Sequence, residues 1–516
     1  LFLASILLFA YFHGAFLKYL FIFPAFLFLL ILPLTAQETN SSRLSKEAIV
    51  EDLQSLIRYP ELKNLPSVRD FEPLTEKKMI DGKEFKIWRP AIQAALDKHK
   101  GVYLPKSEEI YYLDAPLMMD SGCVIQADPE ARIHAIPTLR TCLVRNRNML
   151  PGRIRPVYLE DDASRDSDLV ITGGIWSQES RVRSEHYGAS DEKHSIPGSA
   201  GVLLFSNVAN LSITKVRVEK GAPFAIHVSN AKNVFVSDIS VETNCDGVHF
   251  NGPLERAVIQ KLDCVRTGDD CIALNAWDWP QSGPALGPIN RVLIQDCQSV
   301  RGSLKDIRLL PGVLKYPDGT TIDCPISNVV IRNIKGFNYF KMYAQSPAGA
   351  QHTCQVGTLD NIYFDNIQTA LTGPFRESWK ENFYGAMRPG DIGGIAPFSI
   401  LANARNLTFE NLTVASGCEN GHPCLFYVGP ESAAFRWGKF GPDGKRLEPL
   451  EIFMHDAACV VENIELRNIR NEKGEPYPEP EKLVKEVRLS LNPDYENTPP
   501  RGGSGYGKVL NVKVLP

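Results

Sequence analysis

The stretch Asn210-Leu211-Ser212-Ile213-Thr214, followed by Asn233-Val234-Phe235-Val236-Ser237 and then by Ala257-Val258-Ile259-Gln260-Lys261, decides the fold. Each copy alternates apolar and polar residues, the period of a strand with one buried face. Leu211 and Val234 are 23 residues apart, and Val234 and Val258 are 24 apart. Further copies start at Arg291, Asn328, Asn361, Asn406 and Asn463, and an earlier one runs from Ser167 to Thr172. The later intervals are 33 residues or more, so insertions grow toward the C-terminus.

A period near 23 residues with two or three short strands in each unit fits one coil of a parallel β-helix. One coil cannot bury its own apolar face, whereas stacked coils share a continuous core. Asn before each strand suits a tight corner, because it tolerates left-handed backbone and can form side-chain ladders. A β-propeller needs repeats of about 40 residues with four strands each, which the short early period disfavours. The fold expected is all-β: a right-handed parallel β-helix forming one domain over residues 85–516, with loop insertions.

Residues 37–84 form a polar N-terminal segment, with a short helix expected near Lys46–Arg58. Helical spacing of Trp88, Ile92, Ala95 and Leu96 predicts a second helix over Ile87–Lys100 that caps the stack. Insertions at 177–199, 277–288 and 369–397 are placed as loops around one cleft. A charged, proline-rich stretch from Asn471 ends in Lys508–Val514, expected to close the stack.

Apolar residues make up 44% of the 516-residue chain and charged residues 22%, so a large core is possible and global disorder is excluded. A net charge of −4 argues against a nucleic-acid-binding surface. Residues 1–36 are read as a secretory signal ending at Leu34-Thr35-Ala36, with translation starting near Leu17. The competing reading is a membrane anchor in the apolar run Tyr19–Leu34. Export with cleavage, to a secreted or periplasmic location and with no membrane association afterwards, is the expectation.

Eleven Cys is odd, so a monomer leaves at least one unpaired. Cys418 and Cys424 bracket a short loop and are candidates for a disulfide, whereas Cys264, Cys271 and Cys297 read as small buried core residues. No CxxC or HxxxH spacing occurs, and no metal or cofactor is expected.

The chemistry lies in two strings, Asn244-Cys245-Asp246-Gly247 and Gly268-Asp269-Asp270-Cys271. Asp246 precedes Asp269 and Asp270 by 23 and 24 residues, one coil. Neighbouring strands stack about 5 Å apart, so the three acids are expected to share one open groove. Crowded carboxylates repel, which raises the pKa of at least one of them. A protonated acid beside an ionised one is what glycosidic bond hydrolysis needs.

These strings resemble the signatures of glycoside hydrolase family 28, the polygalacturonase group, whose pattern is Asn-Thr-Asp-Gly and then Gly-Asp-Asp-Cys one coil later. The resemblance implies a pectin-lyase-like solenoid and hydrolysis with inversion. It makes Asp269 the general acid, gives Asp246 and Asp270 the attacking water, and has Asn244 orient a carboxylate or a substrate hydroxyl. The family's Gly-His-Gly is absent here, and its Arg-Ile-Lys becomes Tyr339-Phe340-Lys341. Those lost groups, in the family, tune the acid and bind the uronate.

Replacement cations are available in Arg301, Lys305 and Arg308 on the coil after the acids, and in Lys341 one coil further. Guanidinium groups hold carboxylate or sulfate through paired hydrogen bonds. The substrate expected is therefore an anionic polysaccharide or oligosaccharide, uronic-acid-containing or sulfated. The alternative reading of these cations is a solvated charged edge. His249 is a candidate for the missing histidine, against a purely structural role. Trp277 and Trp279 are expected to offer exposed indole faces to sugar rings, with core packing as the alternative. Two rival functions remain at this stage: a polysaccharide lyase on the same fold, and a non-catalytic glycan-binding solenoid.

Overall fold

The computed structural model describes residues 43–61, 64–139, 141–149, 155–156, 165–178, 201–221, 224–278, 285–299, 305–315, 321–337, 339–343, 353–370, 396–415, 425–429, 459–486, 488–490 and 504–515. Parallel pairing dominates from the first coil to the last. The strand β1 (Gly201–Thr214) pairs with β2 (Phe224–Thr243), and β2 with β3 (Val248–Arg266), all in parallel. Leu211 lies opposite Val234, and Val234 opposite Ala257, a step of 23 residues each time. The pattern of apolar residues alone aligns Val234 with Val258, and the register corrects this by one residue. The column continues through Val292, Val329, Ile362, Leu407, Ile464 and Val512, all in parallel register. This is the right-handed parallel β-helix that the repeat predicts.

The corners hold the coils in register. Asp168, Asn210, Asn233, Arg256, Arg291, Asn328 and Asn361 all take positive φ, between 53° and 64°, at the same point of successive coils. Their side chains form a ladder: Asn233 Nδ2 donates to Asn210 Oδ1 at 2.9 Å, and Asn361 Nδ2 donates to Asn328 Oδ1 at 2.8 Å. A second ladder follows the next corner, where Asn366 donates to Asn333 at 2.8 Å and Asn468 to Asn411 at 2.7 Å. Asn serves because its short amide both tolerates this backbone and bonds its copy one coil away.

The lumen is filled by aromatic stacks toward the C-terminal half. The rings of Phe340 and Phe398 stack 4.7 Å apart, and those of Phe364 and Phe409 lie 4.9 Å apart at 6°. Each such pair adds about 0.5–1.5 kcal/mol beyond area burial.

Helix α1 (Lys46–Gln54) starts at Ser45, whose side chain accepts from the Ala48 N–H. It packs Ile49 and Leu53 on an outward apolar column of Phe235, Val258, Leu293, Val330 and Tyr363. Lys46 ties it down through Asp365 at 2.9 Å and through Glu410. Helix α2 (Arg89–His99) buries Ala91, Ile92, Ala95 and Leu96 against the first strands and ends at Lys100 in the left-handed region. The Lys508–Val514 segment lies in the strand Ser504–Leu515, which pairs with Cys459–Arg467. Among the described residues, no helix is long and apolar enough to cross a membrane. The signal segment at 1–36, the Cys418–Cys424 pairing, most of the expected insertions at 177–199 and 369–397, and half of that at 277–288 lie outside the described residues.

Candidate active site

The two motif strings form stacked turns, and their glycines are required by that stacking. A Cβ on Gly268 would stand 2.1 Å from the Asn244 carbonyl oxygen, and one on Gly247 would stand 2.5 Å from that of Cys271. Only a residue without a side chain lets the coils approach so closely. Gly268 and Asp269 both donate their N–H to the Cys245 carbonyl at 3.1 Å. Asp270 then opens β4 (Asp270–Asn275), and its N–H donates to Asp246 Oδ1 at 3.2 Å. Asp246 and Asp270 are thus neighbours across one coil step, with Asp269 at the turn just before.

The three acids do come together, but the open groove expected for all of them is not what forms. Asp246 and Asp270 are buried and Asp269 is half-buried. Arg308, on β5 (Lys305–Leu310), explains how two buried acids are tolerated. Its Nη2 lies 3.2 Å from Asp246 Oδ2 and 2.7 Å from Asp270 Oδ2. Arg308 was expected to read the substrate; here it is buried and engaged by the protein's own carboxylates. A buried charge is stable only when paired in this way.

His249 is likewise not a groove-lining ligand. It is buried, with Nδ1 2.6 Å from Asp246 Oδ2 and Nε2 2.9 Å from Asp278 Oδ2. Burial pulls its pKa down, but the bonds to Asp246 and Asp278 outweigh that and raise it to about 9. Burial pushes Asp246 upward; its bond to His249 and the Arg308 charge outweigh this and hold it below the ordinary carboxylate value. Cys245 Sγ also donates to Asp246 Oδ1, at 3.3 Å.

Asp278, His227, Asn251 and Asn275 were not singled out in the sequence as site residues. Asn251 and Asn275 donate to Asp278 Oδ2 at 3.1 and 2.7 Å, and His227 Nε2 meets Asn251 Oδ1 at 2.7 Å. Their spacing carried a signal. His227 and His249 lie opposite one another in register, as do Asn251 and Asn275, so each pair stacks as the acids do.

Lys341 stands beside Arg308 in register on β6 (Phe340–Tyr343) and is also buried, which corrects its expected place in an open cleft. Lys305 lies opposite Asp270 in register. Asn244 is half-buried at the turn. Trp277 is a correction: only 2% exposed, it belongs to the main core. Its backbone N–H donates to the Leu310 carbonyl at 3.2 Å, so the chain turns inward there rather than outward. Trp279 and Arg301, together with the side chain of Lys305, lie outside the described residues. Cys264 and Cys271 are joined in a disulfide rather than being separate core thiols, while Cys297 is a buried free thiol as expected. That bridge closes the seven-residue step carrying Asp269 and Asp270.

Cys245 Sγ and one carboxylate oxygen each from Asp246 and Asp269 lie within 4.8 Å of one another. A soft thiol already donating to one of two hard carboxylates is a poor donor set for a single ion. The same separation is below the roughly 6.5–9.5 Å between carboxyl groups that a sandwiched water needs.

Residues 172–279, which contain both strings, match the model of the glycosyl hydrolases family 28. Over that stretch the chain is similar to the glycoside hydrolases of that family. The match spans the β-helix coils that bring Asp246, Asp269, Asp270, His249 and Asp278 together. No curated protein matches this chain in sequence. Its solved structural neighbours include a hyperthermoactive exopolygalacturonase from Thermotoga maritima, at 14% identity and a TM-score of 0.49, covering 91% of this chain and 96% of that one. A family 28 exopolygalacturonase from Yersinia enterocolitica has 16% identity and a TM-score of 0.44, over 80% of this chain and 71% of that one. PfbA, a surface adhesin of Streptococcus pneumoniae, has 11% identity and a TM-score of 0.38, over 87% of this chain and 91% of that one. Likenesses this distant carry nothing about chemistry.

Proposed function

We propose that this protein is a glycoside hydrolase of the family 28 kind, exported, that cleaves a glycosidic bond of an anionic, pectin-like polysaccharide or oligosaccharide with inversion. One observation carries the reading: of three converging carboxylates, Asp269 alone keeps partial access to solvent, while Asp246 and Asp270 are buried and paired with a cation. Asp269 is the proton donor to the leaving oxygen. Asp246 and Asp270 hold and activate the water.

Asp246 and Asp269 approach more closely than the carboxyl pairs that sandwich a water in inverting enzymes, so the water is held to one side of that pair. The place flanked by Asp246 and Asp270 is the one that Arg308 Nη2 takes in this structure. An anionic group on the substrate draws the guanidinium aside and admits the water there. Anionic charge on the glycan thus serves the reaction as well as binding. The disulfide between Cys264 and Cys271 supports an oxidising compartment, secreted or periplasmic.

The test is to follow the first product by proton NMR on pectic and sulfated glycans and on their charge-neutralised forms. Release of the inverted anomer, favoured by charge on the substrate, is the result expected. A retained anomer, or equal cleavage of neutralised substrate, overturns the corresponding part of the proposal.

A further inference from the structure

Asp278 has no part in the reaction drawn above, yet its surroundings are more elaborate than a surface turn requires. It is 2% exposed and lies just past Trp277, beyond the end of β4. Three donors converge on its Oδ2: His249 Nε2 at 2.9 Å, Asn251 Nδ2 at 3.1 Å and Asn275 Nδ2 at 2.7 Å. Burying an ionised carboxylate is unfavourable by several kcal/mol unless such donors replace water.

From Asp278 the contacts lead through one imidazole to Asp246. Ionised carboxylates only accept hydrogen bonds, so an imidazole held between two of them carries a proton on each nitrogen. The ring is fixed from its other sides as well. Phe224 lies against it at 4.3 Å between centroids, tilted by 33°, and His227 meets it edge-on at 5.0 Å.

We propose that Asp278 is a positioning residue for Asp246, acting through His249. By holding the second proton on the ring and fixing its orientation, it aims the Nδ1 proton at Asp246 Oδ2 and so presents the other oxygen, Oδ1, in one direction. The inference rests on the reading of Asp246 as part of the hydrolytic centre. It also assigns a use to a residue outside both motif strings.

The charged and titratable groups around His249 are Asp246 and Asp278 at its nitrogens and His227 at its edge, with Arg308 and Asp269 beyond Asp246. His227 stays neutral, because burial and then the His249 charge push it down to about 3. His249 holds its second proton up to about 9 with both carboxylates present. Taking away the Asp278 charge removes one of the effects that raise it, so the imidazolium is lost at lower pH.

The experiment compares wild type with Asp278→Asn and Asp278→Glu in kcat, KM and pH profile, and follows the His249 ring by NMR titration without substrate. Asp278→Asn is expected to lower kcat roughly tenfold or more with KM within about twofold. Its alkaline limit moves to lower pH, and Asp278→Glu restores both. A merely structural Asp278 leaves the pH profile and the His249 titration where they were, and that result overturns the proposal. Should wild type cleave no glycan, the hydrolytic reading fails, and the titration still decides whether Asp278 governs the ring. A His249 midpoint near 9 that falls in Asp278→Asn upholds that link, and an unmoved midpoint refutes it.

Discussion

Replacing Arg308 with Met removes the cation that two buried carboxylates share. The side chains of Arg308, Asp246 and Asp270 are 7%, 1% and 0% exposed, so with Met filling the place of the guanidinium bulk solvent does not screen the acids left behind. Asp246 keeps His249, the Cys245 thiol and the Asp270 N–H, and loses the least. Asp270 loses its 2.7 Å partner. Removing one member of a buried ion pair in this way costs about 3–5 kcal/mol at neutral pH. A cycle with Asp270→Asn isolates the pair, since the neutral amide needs no counter-ion. The double variant is expected to regain at least about 2 kcal/mol of the single loss.

The pH dependence has a definite sign. Asp246 has a lowered pKa in the folded state, so it contributes stability above the ordinary carboxylate range that is lost as pH falls through its folded value. Arg308→Met removes part of that contribution, so the gap between variant and wild type narrows on acidification. Denaturant midpoints followed by tryptophan fluorescence at neutral and acidic pH measure all three quantities. A cost below about 1 kcal/mol, or single costs that simply add, refutes the shared-cation account.

Two further outcomes follow from the turn that carries Asp269. Gly268→Ala places a methyl group against the Asn244 carbonyl, and a loss of about 1–3 kcal/mol is expected from forcing the coils apart, read as a lower denaturant midpoint together with reduced turnover. Replacing Cys264 and Cys271 by Ser opens the seven-residue step, which costs about 2 kcal/mol by loop-closure entropy, and wild type in reductant should match the variant.

Much of the fold was legible because its cause is local and periodic. Asn210, Asn233, Asn328 and Asn361 each need the same left-handed corner, and each bonds its copy one coil away. The convergence of Asp246 with Asp269 and Asp270 was legible for the same reason, as a fixed chain distance around one coil. Other features depend on where the chain goes after a strand ends, which periodicity does not describe. Trp277 and Asp278 follow β4 into a turn that folds inward, so an apparently polar loop supplies both a core indole and a buried acid. Arg308 was placed in the correct column, but charge alone could not distinguish a cation waiting for substrate from one already held by Asp246 and Asp270. The Cys264–Cys271 bridge was missed because it depends on the tight turn at Gly268, and each Cys taken alone resembles a core residue.

The central claim is that Asp269 gives up the proton while its two buried neighbours serve the water. Reducing ends released by wild type and by Asp269→Asn, across pectic and sulfated polysaccharides, test it most directly. Asp269 is half-buried at a turn, so the variant should fold as wild type does and lose roughly 100-fold or more in turnover. Equal background from both proteins on every glycan, or products carrying a new double bond, would contradict it.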